Sequence, residues 1–426
     1  MKVMVTGSGG REHALAWRAS QSSDVDTVYV APGNAGTALE PGLSNVDIDV
    51  MDIAGQVQFA RDNDVALTII GPEAPLVAGA VDAFKEAGLR CFGPGAAAAQ
   101  LEGSKTFTKD FLSKYGIPTA DYGSFDDPDE AIDYARTMQP PIVIKADGLA
   151  AGKGVILAPN HAEAESTIRE MMTEGAFGEA GSRVVVEAFL PGEEASFIVI
   201  ADGENFAPFA SSQDHKPIFE CDKGPNTGGM GAYSPAPVVT EVVHQRIIER
   251  VIRPTVDGMR AEGFPYTGFL YAGLMIDEAG NPFVIEYNCR FGDPETQPVM
   301  MRLESDLVEL CIAAIDGELA DKQISFSDDT ALTVVMAAGG YPGDYRKGDV
   351  ITGLDSNMDG KVFHAGTALE GGGVVTNGGR ILGVTTLGTS VGEAQRKAYE
   401  ITEQIDFNDK YCRLDIGYLA IARESN

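Results

Sequence analysis

Three polar residues alternate along an otherwise apolar segment, Phe283-Val284-Ile285-Glu286-Tyr287-Asn288-Cys289-Arg290. On a strand, side chains two apart share a face, so Glu286, Asn288 and Arg290 are expected to project together. A carboxylate, an amide and a guanidinium buried on one face are costly without a charged ligand. Glu286 and Asn288 offer hard oxygens suited to Mg²⁺, an ion that keeps few protein ligands and completes its shell with phosphates and water. Arg290 can grip a carboxylate or an acyl phosphate through paired N–H bonds. The competing reading is a buried ion pair that closes this strand against a charge elsewhere. The polar stretch Phe291-Gly292-Asp293-Pro294-Glu295-Thr296-Gln297 follows as a loop able to close over a substrate.

A second group of residues suits phosphate. Lys145-Ala146-Asp147-Gly148-Leu149-Ala150-Ala151-Gly152-Lys153-Gly154 lies between two apolar runs. It is not a Walker A loop, which has four residues between its glycines and then Gly-Lys-Ser/Thr opening a helix. Here three residues separate Gly148 from Gly152, Gly154 follows Lys153, and a strand comes next. A glycine hairpin with Lys145 on its incoming strand can act as a lid on a triphosphate, Lys145 reaching the α/β-phosphates; an ordinary glycine-rich hairpin has the same appearance. Val184–Leu190 reads as a strand running into a hinge at Pro191-Gly192-Glu193-Glu194. Its backbone can meet an adenine edge and Glu194 a ribose, although glutamates near turns are usually only solvated. Gly7-Ser8-Gly9-Gly10-Arg11-Glu12 joins a strand to a helix whose N-terminus attracts anions. Glu12 stands where a dinucleotide fingerprint needs glycine or alanine, so a single phosphate, or only a tight turn, fits better. His215, in the polar run Ser211–Lys216, can be read as a general base or as a hydrogen-bonded scaffold. Gly224–Tyr233 reads as a loop pressed against ligand. No Ser-His-Asp or Cys-His arrangement emerges.

These groups need elements to hold them. Over the first hundred residues, strands at Val3–Thr6, Thr27–Val30, Leu67–Ile70 and Arg90–Phe92 each end in a Gly/Pro turn, and helical stretches alternate with them. That alternation predicts a doubly wound parallel sheet with ligands at the carboxyl ends of its strands. From Ser104 the pattern becomes a helix (Lys105–Tyr115), a helix (Asp129–Thr137), strand–loop–strand (Ile142–Ala146, Val155–Ala158), a helix (Ala162–Met172) and a strand (Arg183–Glu187). From Thr330 a small α+β unit has strands at Leu332–Ala337 and Arg380–Val384 and a helix near Gly392–Ile405. The expected organisation is α/β and α+β multidomain. Residues 1–103 form a Rossmann-like substrate domain, 104–328 a central domain with a lid over about 120–190, and 329–426 a C-terminal domain; 426 residues agree with about three domains.

The formal charge of −31 excludes a duplex nucleic-acid partner over most of the surface. No apolar run approaches the roughly 20 residues needed to span a bilayer, and Met1–Thr6 lacks the features of an export signal. Cys91, Cys221, Cys289, Cys311 and Cys412 are odd in number with no CxxC pair, so a disulfide framework or zinc site is not expected and a cytoplasmic location is.

Taken together, Lys145 with its loop, the Glu187 hinge, Glu194 and Glu286-x-Asn288 resemble the ATP-grasp fold. Arg290-Phe291-Gly292-Asp293-Pro294-Glu295-Thr296 resembles the signature of the phosphoribosylamine–glycine ligase (glycinamide ribonucleotide synthetase) family. Gly9–Ala14, Ala31–Thr37, Gly71–Leu76 and Asn226–Ala232 are similar to other stretches of that family, so the resemblance runs from the first strand to the C-terminal unit. It implies ligation of glycine to 5-phosphoribosylamine with ATP, through a glycyl phosphate, in the second step of purine nucleotide biosynthesis. Carried over by position, Lys105, Lys145, Gly148, Gly152, Lys153, Gly154, Glu187, Phe189, Leu190 and Glu194 would hold ATP. Glu286 and Asn288 would hold Mg²⁺ or Mn²⁺, Arg290 and Asp214 the glycine or acyl phosphate, and Gly9, Gly10, Asn34 and Asp293 the remaining substrate. Lys145 and Arg290 are the residues expected to act on the reacting groups, and a monomer is expected. One departure stands out. Many ATP-grasp proteins carry a further acidic metal ligand one strand earlier, where this chain has Ala272-Gly273-Leu274-Met275. Rival readings are another ATP-grasp ligase, which should lack the Arg290–Thr296 stretch, an NAD-dependent dehydrogenase, which Glu12 disfavours, and a non-catalytic nucleotide sensor.

Overall fold

Five parallel strands begin the chain, lying side by side in the order Leu43–Asn45, Thr27–Pro32, Lys2–Gly7, Val65–Ile70, Cys91–Phe92. The computed structural model describes residues 1–149, 154–173, 181–354 and 358–424. Val3, Met4 and Val5 are fully buried, as strands covered on both faces must be, which is why they read as one apolar run. The strand order reverses beside Lys2–Gly7, so the loops after Gly7 and Ile70 face each other across the crevice where such sheets bind ligands. Glu12, in the first turn of helix Gly10–Ala19, fills that crevice, and its Oε2 accepts from Gly9 N at 2.7 Å. A Cβ on Gly71 would lie 2.4 Å from Glu12 Cγ and 2.6 Å from the Thr6 carbonyl oxygen. Gly71→Ala is therefore expected to destabilise the fold by about 1–3 kcal/mol, read as a lower melting temperature. An unchanged melting temperature would mean that this crevice can open without cost.

An antiparallel sheet of four strands follows, ordered Tyr122–Phe125, Val184–Ala188, Ile142–Ala146, Val155–Ala158. Ile142, Ile144, Val184 and Val186 pack beneath helices Pro128–Thr137 and His161–Thr173 into a core separate from the rest. This lid sheet stands over a central antiparallel sheet ordered Phe206–Pro208, Glu193–Asp202, Thr267–Ile276, Pro282–Asn288. The two long strands of the central sheet have no period-2 pattern, since nearly every side chain in them is buried, and no sequence boundary marked them. A third antiparallel sheet joins Gln213–Asp214 and Gly231–Ser234 to Thr330–Ala337, Arg380–Gly388 and Lys361–His364. The last part of the chain thus shares a sheet with two short strands from its middle. Among the described residues no helix is long and apolar enough to cross a membrane.

Two local features aim side chains. Ser104 caps helix Lys105–Lys114, its Oγ accepting from Phe107 N at 3.1 Å and donating to Asp147 Oδ1 at 3.0 Å. Asp147 also accepts from Thr106 N at 3.1 Å, so the start of the glycine hairpin is tied to the start of that helix. On the central sheet, Glu286 pairs with Gly273 but Val284 with Leu274, leaving Ile285 as a bulge. The bulge turns the Ile285 carbonyl outward, where it accepts from Lys145 Nζ at 2.8 Å. One expectation is corrected here. The strand ends at Asn288, and Arg290 lies beyond it, so Arg290 does not reach the site by strand alternation. It is placed there by ion pairs.

Candidate active site

A cleft of about 380 Å³ opens between the lid sheet, the central sheet and the loops of the first sheet. Lys105, Lys145, Gly148, Gly154, Glu194, Asp214, Glu286, Asn288, Arg290 and Asp293 all line it. Gly152 and Lys153 lie outside the described residues. Glu187, Phe189 and Leu190 do not line the cleft; Glu187 is buried behind Lys145, and Phe189 is exposed at the end of its strand. Gly9 and Gly10 stand at the edge of the cleft, where a Cβ on either would meet Asp293 at 3.4 and 3.7 Å. Asn34 is further away and fully engaged as a donor. Its Nδ2 donates to the carbonyls of Ser8 (2.9 Å) and His364 (2.8 Å), and its Oδ1 accepts from Thr37 N at 3.0 Å.

The cations gather around Glu286. Lys105 Nζ is 3.5 Å and Lys216 Nζ 3.8 Å from its carboxylate. Burial works against ionisation, yet Lys105, Lys216, Lys145 and Arg290 hold Glu286 far below the usual carboxylate range. The balance reverses a few ångströms away. Asp214 is pushed well above its ordinary value by burial and, against Lys216, by Glu295, Glu194 and Glu286. Lys216 is pushed well up despite its burial, chiefly by Glu194 and Asp214, and its ammonium donates to Glu194 Oε1. Four carboxyl groups around one lysine leave a surplus of negative charge that a divalent cation would offset. Glu286 and Asn288, two apart on one strand, are the residues that would offer it a carboxylate and an amide oxygen. Opposite Glu286 stands Gly273, with no carboxylate, and among the described residues no three His, Cys, Asp or Glu side chains converge on one point. A closed cage is therefore lacking, and the donors fit an ion such as Mg²⁺ that takes its remaining ligands from phosphate and water.

Arg290 is clamped. Its Nε is 3.2 Å from Glu73 Oε2 and its Nη2 2.9 Å from Glu102 Oε1, while Glu102 Oε2 accepts from Cys289 N at 2.7 Å. Burial opposes the ionisation of Glu73, but Arg290 and Arg11 bring it down to about 2. Arg380 performs a similar service from the C-terminal sheet, donating to the carbonyls of Gly228 (2.5 Å) and Asp293 (2.7 Å) and pairing with Asp293 Oδ2 at 3.2 Å. The glycine-rich loop and the Arg290–Thr296 loop can meet there because Gly229 has φ +110° and a Cβ would lie 2.4 Å from Pro294 Cδ. His215 serves as scaffold. It is buried, its Nε2 accepts from Gly417 N at 3.1 Å and its Nδ1 faces the Gly231 carbonyl, and burial and Arg413 lower it to about 4. Glu73, Glu102, Lys109, Lys216 and Arg380 carried no role in the sequence reading. Arg11, Glu73 and Lys216 lay inside stretches already singled out; Glu102, Lys109 and Arg380 show no local signal, since their partners lie far along the chain.

The phosphoribosylglycinamide synthetase family matches in three pieces: its N domain over residues 1–102, its ATP-grasp (A) domain over 103–296 and its C domain over 331–419. The chain is 63% identical over 426 residues to a phosphoribosylamine–glycine ligase of Vibrio vulnificus, covering 100% of this chain and 99% of that protein. It superposes on the crystal structure of phosphoribosylamine–glycine ligase from Thermotoga maritima with a TM-score of 0.86 at 34% identity, over 98% of this chain and 100% of that one. The biotin carboxylase domain of Hydrogenobacter thermophilus 2-oxoglutarate carboxylase, solved with MgADP, shares the fold with a TM-score of 0.75 at 18% identity, over 96% and 91% of the two chains.

Proposed function

The chain belongs to the phosphoribosylglycinamide synthetase family, and from that membership we propose how its cleft joins glycine to 5-phosphoribosylamine. The reaction consumes ATP and gives glycinamide ribonucleotide, ADP and phosphate, the second step of de novo purine nucleotide biosynthesis. The observation that carries the reading is the meeting in one cleft of Lys105, Lys145, Gly148 and Gly154 with Glu286, Asn288 and Arg290.

Lys105, Lys145 and the backbone of Gly148–Gly154, with Lys153, bind the phosphates. Glu194 takes the ribose; of the residues expected at the adenine, Glu187 acts from behind Lys145, and Phe189 and Leu190 lie just past the end of strand Val184–Ala188, where their backbone would meet the adenine edge from outside the cleft lining. Mg²⁺ or Mn²⁺ held by Glu286 and Asn288 would neutralise charge on the β- and γ-phosphates. Arg290, kept in place by Glu73 and Glu102, orients the glycine carboxylate for attack on the γ-phosphorus, and Asp214 contacts the same glycine. A glycyl phosphate results. The ribosylamine nitrogen then bonds to its carbonyl carbon, phosphate leaves with the electron pair of the broken C–O bond, and the nitrogen gives up one proton to the departing phosphate or to solvent. Gly9, Gly10 and Asp293 face the phosphoribosyl part, and Asn34 shapes their loop through its bonds to Ser8 and His364. Closure of the lid sheet excludes water from the acyl phosphate. The reading keeps the expectation of a monomer, and five free cysteines suit a reducing cytoplasm.

The test measures ADP release with Mg²⁺, glycine and fresh 5-phosphoribosylamine, omitting each in turn, and follows glycinamide ribonucleotide by mass. Release that needs all three is expected. ADP release that ignores glycine but depends on another small acid would move the substrate assignment, and ATP binding with no turnover would remove the catalytic reading.

A further inference from the structure

Behind the cleft, three charged side chains are buried together with unequal charge. Lys109, Glu187 and Lys145 are 2%, 3% and 2% exposed. Lys109 Nζ lies 2.9 Å from Glu187 Oε2, and Lys145 Nζ lies 3.0 Å from Glu187 Oε1. Lys109 belongs to helix Lys105–Lys114, whereas Glu187 and Lys145 lie on paired strands of the lid sheet. Lys109 also donates to Thr119 Oγ1 at 2.7 Å, which donates in turn to the Val284 carbonyl at 2.7 Å. One chain of polar contacts thus ties the helix and the lid sheet to the strand that carries Glu286.

Two ammonium groups share one carboxylate, so the trio keeps a net positive charge in a poorly solvated place, and on the cleft side Lys145 is felt by Glu286. Lys145 meets Glu187 Oε1 as an ion pair without a well-directed hydrogen bond, and the hydrogen bond it does make goes to the Ile285 carbonyl. Of the three, only Lys145 lines the cleft. The surplus charge is therefore presented to whatever anion the cleft admits.

We infer that Lys109 is a positioning residue for the nucleotide: by holding half of Glu187 it leaves Lys145 charged, extended and free to meet phosphate. The inference rests on the assignment of Lys145 to ATP. Without Lys109, Glu187 would pair with Lys145 alone, neutralise it and draw it back from the cleft. Burial pushes Lys109 down to about 8; Glu187 opposes this, while Lys145 and Lys105 add to it, and the Tyr122 ring stands 5.5 Å away. Its charge is thus sensitive to mildly alkaline pH.

Steady-state kinetics of Lys109→Met, Lys109→Arg, Lys145→Met and the double variant Lys109→Met/Glu187→Gln provide the test. Lys109→Met is expected to raise KM for ATP about tenfold, with KM for glycine and phosphoribosylamine unchanged. Lys109→Arg restores ATP binding, and the double variant recovers part of the loss because no carboxylate remains to neutralise Lys145. In the unsubstituted enzyme KM for ATP rises above about pH 8, and Lys109→Arg removes that rise. A Lys109→Met variant with a lower melting temperature and an unmoved KM for ATP would overturn the inference, as would a double variant no better than the single one. Should Lys109→Met fail to fold, a flat pH profile in the unsubstituted enzyme decides against it. If Lys145→Met leaves ATP binding intact, the assignment of Lys145 itself is wrong; if Lys145→Met weakens ATP binding and Lys109→Met does not, only the role of Lys109 falls.

Discussion

Glu286→Gln should reduce ligation by roughly three powers of ten, about 4 kcal/mol of transition-state stabilisation, while the protein stays folded. The substitution keeps shape and one oxygen but removes the negative charge around which Lys105, Lys216, Lys145 and Arg290 are arranged. The same charge would hold the divalent ion beside Asn288. With the charge gone, Lys105 and Lys216 repel the ion as well as each other, and the γ-phosphate is no longer neutralised at the point of transfer. Stability should change little, because Lys216 keeps Glu194 and the Glu286 side chain is 22% exposed at the wall of the cleft. The measurement is ADP release at saturating Mg²⁺, run beside a melting curve. Activity within tenfold of the unsubstituted enzyme would show that the ion, if used, is held elsewhere.

Arg290→Met should impair both stability and activity, and its stability effect should depend on pH in a defined direction. The guanidinium separates Glu73 from Glu102, with side chains 27% and 5% exposed. Removing the cation leaves two mostly buried carboxylates near each other, with Arg11, 3.9 Å from Glu73, the one cation still paired with it among the described residues. Breaking such a pair costs about 3–5 kcal/mol. The sign follows from Glu73, which Arg290 and Arg11 bring down to about 2 against its burial. A depressed carboxyl stabilises the fold fully above the unfolded value near about 4.3 and loses that contribution as pH falls toward the folded one. The deficit of the variant should therefore be largest at neutral pH and shrink between about pH 5 and pH 3. A deficit that stayed constant over that range would assign the loss to packing. Arg290→Lys should recover little, since a single ammonium cannot span both carboxylates.

Much of the fold and of the catalytic outline follows from short-range stereochemistry, and this much the sequence by itself determined. The alternation of apolar runs with Gly/Pro turns predicts the parallel sheet of the first hundred residues, because strand and helix periods are properties of a few consecutive residues. Period 2 along Phe283–Asn288 places Glu286 and Asn288 on one wall, and the glycine spacing at Lys145–Gly154 describes a hairpin with a lysine at its root. Strand ends were read to within a residue or so at Ile142–Ala146 and Val155–Ala158. Elsewhere the chain needed its tertiary structure. Strands Glu193–Asp202 and Thr267–Ile276 are buried on both faces and so carry no alternation to detect. The bulge at Ile285 arises from the register of two paired strands, and a single segment holds no record of its register. Arg290 is aimed by Glu73 and Glu102, Lys145 by Glu187 and Lys109, and the Gly228 loop by Arg380, partners that lie between 36 and 217 residues away along the chain. Local propensity acts over one or two helical turns, whereas a buried charge is stabilised by whichever counter-charge folding brings within about 4 Å. The chemical types at the site were therefore written locally, and their pairing was decided only when the four sheets closed on one another.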